Sequence, residues 1–429
     1  MKELKNSGIS WVGKCPTHWQ VMRNKYIMHK IKHIPPSYQG EAILSLSMKG
    51  VIVRDLEAGG KMPSSFNGYQ TLYPGNLLMC LFDYDVTPRC IGLIKNYGVS
   101  SPAYSQFELD NGNVASYFYY YYLMVDNEKS ILHLAKNLRH SFTEEQLGCI
   151  EAPVPPVKEQ QAIASFLDEK CTEIDALVED IQAEISTLEE LKKSIITEAV
   201  TKGLDPNVEM LPSGMFGCDY RPAHWKTSKL KFFTYVRARL GWKGLKADEY
   251  VETGYPFLSA FNIQNSELSL ESVNYISQDR YDESPEIKLK IGDILLVKDG
   301  AGIGKCAYVD QLPHPSTVNG SLAVITCFPE VLGKLLYYFF LSTPFQNIIA
   351  LLKDGMGVPH LFQSDIRSIV FEFPESIQEQ CSIINHLEQE ISKINAIISN
   401  KNKQLKILQE YKKSLIYEYV TGKKEVPQK

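Results

Sequence analysis

Between Pro155 and Gly203, apolar side chains recur at alternating steps of four and three: Leu167, Cys171, Ile174, Val178, Ile181, Ile185, Leu188, Lys192, Ile195 and Ala199. Only Lys192 breaks the series, and the flanking positions are mostly Glu, Asp, Gln, Lys and Thr. A narrow apolar seam with a period of about 3.5 residues predicts a coiled-coil helix. Pro155-Pro156 before it and Gly203 after it are the expected punctuation. The same seam returns 220 positions later as Leu387, Ile391, Ile394, Ile398, Lys401, Leu405, Leu408, Lys412, Leu415 and Tyr419. Any two coiled coils could share apolar spacing. They would not also share Glu159-Gln160 with Glu379-Gln380 at one end and Lys192-Lys193-Ser194 with Lys412-Lys413-Ser414 at the other. The match needs no gap, and an internal duplication explains it.

The remaining sequence repeats more loosely. Pro16-Thr17-His18-Trp19 returns as Pro222-Ala223-His224-Trp225 at an offset of 206. The two Trp are expected to anchor cores, and each His to make a local hydrogen bond. Pro74-Gly75-Asn76-Leu77-Leu78 is echoed by Ile291-Gly292-Asp293-Ile294-Leu295, in each case a turn entering a strand. The aromatic runs Tyr117–Tyr122 and Tyr337–Phe340 read as core packing. His140-Ser141-Phe142 and His360-Leu361-Phe362 precede the two seams. The order is module, helix, module, helix, with boundaries at 1–154, 155–205, 206–373 and 374–429. The expected fold class is α+β: two mixed α/β modules separated by two long helices that form an antiparallel coiled coil with pseudo-two-fold symmetry.

The 429 residues are 44% hydrophobic, enough for two or three packed domains. No apolar run reaches the length of a membrane span, and the first residues lack a signal-peptide core, so a cytoplasmic protein is expected. Nine scattered Cys without paired spacing argue against a disulfide framework or structural zinc. Net charge is −5, the wrong sign for a nucleic-acid binder. By segment the balance is +3 for residues 1–150, −9 for 151–211, −1 for 212–373 and +2 for 374–429. The first seam region thus supplies more than the whole deficit, and the modules are free to meet a polyanion.

After each His-Trp comes a basic run laced with aromatics. The first holds Arg23, Lys25, Tyr26, His29, Lys30, Lys32 and His33. The second, Lys226 to Lys246, has seven cations and no acid before Asp248. Cations of this kind neutralise phosphates, and Arg can reach base edges. Enzyme motifs fall short. Gly300-Ala301-Gly302-Ile303-Gly304-Lys305 has Asp299 in place of the leading Gly of a phosphate loop and Cys306 in place of its Ser/Thr, so a glycine turn between strands is expected. Glu286-Ile287-Lys288 is a bare nuclease-like fragment, with Asp279 or Asp282 as its only candidate partners. No catalytic constellation and no metal site is expected.

Two variable modules alternating with near-repeat helices, each helix entered near Pro-x-x-x-Glu-Gln and left near Leu-x-x-x-Lys-Lys-Ser-x-Ile-x-Glu, resemble the DNA-specificity (S) subunits of type I restriction–modification enzymes. The resemblance covers nearly the whole chain. It implies a non-catalytic reader of double-stranded DNA that takes one half of a split, asymmetric site in each target-recognition module. It also implies two methyltransferase (M) subunits on the outer helix faces, with S-adenosylmethionine bound there and not by this chain, and a restriction (R) pair where one exists. The paired helices would set an unread spacer between the half-sites, each about 60 Å long for 40 residues against a ~34–36 Å groove repeat. Lys192, Lys401 and Lys412 interrupt the seam, to set register, to bind acidic partner groups, or simply because lysine stems snorkel from it. Candidate DNA contacts are Lys30, Lys32, Arg54 and Arg89 in the first module. In the second they are Lys229, Lys231, Arg237, Arg239, Lys243, Lys246, Asn262, Gln264 and Lys298, the amides of Asn262 and Gln264 being suited to adenine. The rival reading is a coiled-coil scaffold that binds only protein.

Overall fold

A computed structural model describes residues 3–57, 63–135, 137–239, 249–353 and 360–427. Two compact units emerge, residues 1–181 with 402–429, and residues 182–401. Both dividing lines fall inside the long helices, Val157–Lys202 and Ile377–Val420. Each unit therefore contains one module, the first half of one long helix and the last half of the other.

Within each unit the two helix halves run antiparallel. In the first unit, Phe166 packs with its ring centre 4.5 Å from that of Tyr419, and Lys412 Nζ donates to Asp175 Oδ1 at 2.6 Å. In the second, Lys192 Nζ donates to Asn395 Oδ1 at 3.1 Å, and Lys401 pairs with Glu184. Climbing one helix means descending the other. Leu167, Cys171, Ile174 and Leu415 of the first unit are buried, as are Leu387 and Ile394 of the second. Val178, Ile181, Ile185, Leu188, Ile398, Leu405 and Leu408 are half-buried between exposed neighbours. That is the pattern a two-stranded seam produces, because one stripe per helix is all that two helices can cover. The seam lysines lay their stems along it and hand their ammonium groups to an acceptor on the facing helix.

The modules share one frame. In the first unit a four-stranded antiparallel sheet runs Met28–Ile31, Ser105–Leu109, Leu77–Met79, Ile91–Leu93. In the second the order is Thr234–Arg237, Leu322–Cys327, Ile294–Val297, Cys306–Tyr308, again all antiparallel. Turns at Gly75 and Gly292 enter the third strand of each, with φ of +91° and +93°, where glycine is unstrained. The Gly300–Lys305 segment is the turn between two strands of the second sheet, with no helix after it. Aromatic helices Ala115–Asn127 and Gly333–Leu341 fill the cores, with Tyr117, Phe118, Tyr121, Phe339 and Phe340 fully buried. Among the described residues no single helix is long and apolar enough to cross a membrane. Gly333–Leu341 and Thr343–Leu352 pass that test only as a bent pair, and the first of them lies in the second unit's core.

The Glu-Gln pair is the joint between module and helix. Glu159 takes hydrogen bonds from Trp19 Nε1 at 3.0 Å and from His18 Nε2 at 2.7 Å. Glu379 is bonded in the same way to Trp225 at 2.9 Å and His224 at 2.9 Å. Gln160 and Gln380 are fully buried. Their Oε1 atoms accept the backbone N–H of Val114 and Leu332, each at 2.8 Å. Those residues open the aromatic helices and have no side-chain cap of their own. Their Nε2 atoms donate to the carbonyls of Pro155 and Pro374, each at 2.9 Å. At the far ends, Gly422 and Gly203 cap the helices with φ of +70° and +77°. A Cβ on Gly422 would lie 2.4 Å from Pro16 Cδ and 2.9 Å from the Trp19 ring. Replacing Gln160 or Gln380 by Ala should cost about 1–3 kcal/mol for each buried group left unpaired. Hydrogen exchange should then accelerate in the substituted unit and not in the other.

Candidate nucleic-acid interface

The basic run of the second module is divided by the strand Thr234–Arg237. Before it, Lys226 and Lys229 on Trp225–Lys229 and Lys231 on the 3-10 turn Leu230–Phe232 are exposed. On the strand itself Tyr235 faces outward but Arg237 does not. Arg237 Nη2 binds Asp293 Oδ2 at 2.7 Å and Thr326 Oγ1 at 2.7 Å, and its Nη1 donates to the carbonyls of Lys288 and Glu286 at 3.1 and 3.3 Å. Asp293 is fully buried in the turn before Ile294–Val297. The expectation that Arg237 reads a base is corrected: it neutralises a buried carboxylate and ties three segments together. The corresponding positions of the first module are Ile31 and Asn76, an apolar and a neutral residue.

Other candidates are engaged internally as well. Arg239 is 8% exposed at its side chain and lies 4.0 Å from Glu283. Asn262 is buried, accepts from Ser259 N, and donates to the carbonyls of Ser269 and Ser272, so its amide holds a loop together and is not offered to adenine. Arg89 pairs with buried Asp126 at 3.2 Å alongside Lys129, pinning the loop after Leu77–Met79 to the end of the aromatic helix. Burial, and after it the Asp126 charge, push the neighbouring Cys90 thiol up to about 12. Lys298 is mostly covered and sits 3.0 Å from Asp299, and Lys30 lies 3.4 Å from Glu144. Arg54 is half-buried just past the hairpin strand Gly50–Val53. Lys243 and Lys246 fall outside the described residues.

Lys32, Lys229, Lys231 and Gln264 remain presented to solvent. Gln264 stands on a tight hairpin, Ile263–Gln264 with Glu267–Leu268, whose two loop residues, Asn265 and Ser266, have φ of +50° and +66°. That left-handed pair is the hairpin turn matched to strand twist. Sequence reasoning missed one recurring contact. His140 Nδ1 lies 2.9 Å from Asp85 Oδ2, and His360 is bonded to Asp299. Each pair fastens the loop that follows the third strand, and the His140 bond holds the Asp85 carboxyl below its ordinary range. The repeated His was visible in the chain, but its acid partner lies 55 or 61 residues away.

Lys288 of the nuclease-like fragment is bonded to Asp282 and lies 4.1 Å over the Tyr281 ring. Among the described residues no group of three or more His, Cys, Asp or Glu is placed to hold a metal ion.

The family model described as the type I restriction modification DNA specificity domain matches residues 92–187 and 222–407, more than half of the chain. The MjaVIII specificity subunit of Methanocaldococcus jannaschii is 25% identical over 278 residues, which is 64% of this chain and 62% of that subunit. The chain thus aligns with less than two thirds of that relative's length. The EcoBI specificity subunit of Escherichia coli is 21% identical over 81% of this chain and 72% of its own. A chain from a solved type I restriction–modification system superimposes with a TM-score of 0.69, at 13% identity, over 95% of this chain and 98% of that one. That likeness establishes the shared fold.

Removing Arg237 strands a buried charge, so Arg237→Ala should cost about 3–5 kcal/mol in urea unfolding. Lys229→Ala and Lys231→Ala should stay within about 0.5 kcal/mol of the parent. Installing the first module's pair, Arg237→Ile with Asp293→Asn, should recover part of the loss.

Proposed function

The chain belongs to the type I restriction–modification DNA specificity family, and from that premise we propose that it is the non-catalytic reader of a bipartite, asymmetric DNA site. One module takes each half-site, and the helix pair sets the unread spacer. The observation that carries this reading is the pairing of a shared frame with different contents. Both sheets have the same strand order and both modules hang from the same Glu-Gln joint, while the side chains around the sheets differ, as at Arg237 and Ile31. A common mount with unlike faces suits two unlike half-sites. A helix of 46 residues extends about 69 Å, close to two turns of B-DNA.

Two methyltransferase subunits would supply S-adenosylmethionine and the reaction. The helix surface supports such docking. Numbering the seam as heptad positions a and d, Leu177, Leu191, Ile397 and Tyr411 all fall at g. Their exposures are 51%, 48%, 46% and 54%. In an antiparallel pair g lies beside g. The first unit therefore presents Leu177 with Tyr411, and the second presents Leu191 with Ile397. Every second g is apolar, with Lys170, Glu184, Glu198, Glu390, Gln404 and Glu418 between, so apolar spots line one side of a seam that as a free-standing coil needs only a and d.

The test is co-expression with the cognate methyltransferase, followed by single-molecule sequencing of the host DNA. Modified adenines in one split motif are the expected result, and exchange of residues 212–373 should alter one half of that motif only. A complex that forms and modifies nothing would leave the scaffold reading in its place. Leu177→Glu with Ile397→Glu should release methyltransferase while leaving the melting temperature of the isolated chain nearly unchanged.

A further inference from the structure

Most chemistry that the two modules share is buried, and folding accounts for it. One shared feature is exposed. At an offset of 206, Arg23-Asn24-Lys25-Tyr26 corresponds to Lys229-Leu230-Lys231-Phe232. In both modules the first cation ends a strand, Gln20–Arg23 or Trp225–Lys229, and the next three residues form a 3-10 turn. The second residue, Asn24 or Leu230, is buried and holds the turn, and so is the residue after it, Ile27 or Phe233. Both cations and the ring point outward. Tyr26 is 54% exposed and Phe232 66% exposed. Lys25 Nζ stands 4.9 Å from the Tyr26 ring centre, and Lys231 Nζ stands 4.7 Å from that of Phe232.

A ring left largely in solvent gains little for the fold, but it gives the ammonium above it a platform. The cation–π contact holds the lysine out in a defined place and lowers the entropy lost when an anion is bound. Among the described residues neither lysine has an ion-pair partner, whereas His29 and Lys30, farther along the same run, are met by Asp110 and Glu144. Two cations spaced by one residue suit a polyanion, and although Arg23 lies 3.9 Å from Glu151 it keeps an exposed face. The two modules keep this step although neighbouring surface positions differ, as at exposed His29 and Tyr235. A ligand that is the same at both ends of the site explains that, and on duplex DNA only the phosphate backbone is the same whatever the sequence.

We propose that Lys25 on Tyr26 and Lys231 on Phe232 are equivalent phosphate anchors, one per module, which position the duplex without reading it. This rests on the DNA-reader function proposed above. The test measures binding of the complete methyltransferase complex to its target duplex and to an unrelated duplex across a salt series. With Lys25→Ala and Lys231→Ala combined, affinity should fall by the same factor for both duplexes. The slope of log affinity against log salt should become shallower by about 0.9 per lysine removed. The modified motif should not change, and Lys25→Arg with Lys231→Arg should restore the slope. Tyr26→Ala with Phe232→Ala keeps the charge and should weaken binding to both duplexes alike. An unchanged slope, or a loss confined to the target duplex, would overturn the proposal. So would loss of methyltransferase copies in native mass spectrometry, which would make the step a protein contact. If the parent complex itself shows no salt-dependent DNA binding, the reader function fails first and takes the anchors with it.

Discussion

Everything in each unit hangs on a buried amide. The first turn of any helix leaves backbone N–H groups without partners, and burying one unpaired is expensive. The aromatic helices Ala115–Asn127 and Gly333–Leu341 begin inside the protein, on Val114 and Leu332, which offer no capping side chain. Gln160 and Gln380 supply the missing acceptors from the long helices. One residue earlier, Glu159 and Glu379 hold the indole and imidazole of the opposite edge of the module. Two adjacent side chains thus fix both the position and the direction in which a long helix leaves its module. A small error there would be multiplied along a helix of more than forty residues.

That joint explains which parts of the sequence could be read directly. The seam was legible because coiled-coil packing imposes a short period, and a period needs no knowledge of the fold. The duplication was legible because the joint needs specific polar residues, Glu, Gln, His and Trp, at places where apolar similarity would not suffice. Even the irregularity of the seam makes sense afterwards. Lys412 meets Asp175 in the first unit, and its repeat mate Lys192 meets Asn395, the repeat mate of Asp175, in the second. The lysine and its acceptor stand on different helices, so neither could be assigned to the other from spacing along one of them.

The surface chemistry was less legible, for a specific reason. Along Thr234–Arg237 the two-residue period of a strand places Arg237 on the same side as exposed Tyr235. The prediction of an outward Arg follows, and it fails because Asp293 and Thr326 close over that end of the strand. Arg89 and Asn262 mislead in the same way. Each is a polar residue in a polar stretch, held by groups far away in sequence, so composition alone cannot separate a buried cross-link from a solvent-facing contact. The comparison between the two modules does better. Where Arg237 and Asp293 are matched by Ile31 and Asn76, the charge pair has been exchanged as a set, which is how buried partners behave and surface residues need not.

The same comparison bears on what a module is. Compactness draws the units through the middle of the long helices, whereas the sequence pattern draws boundaries at 154 and 373, where the helices begin. The two divisions answer different questions. The first identifies what folds together, since the helix halves complete the hydrophobic core of each unit. The second follows the repeat, which is close along the helices and loose in the modules, although Lys49 of one loop reaches Glu179 of the first helix at 3.1 Å. The joint lies across the second boundary. His224 and Trp225 belong to the variable segment, and Glu379 to the helix that follows it. A foreign module can therefore take this place only if it brings its own Pro-x-His-Trp, whatever surface its sheet carries. The constraint on exchange is the hydrogen-bonded mount together with the core that the helix halves complete, and it leaves the exposed remainder of the module free to diverge.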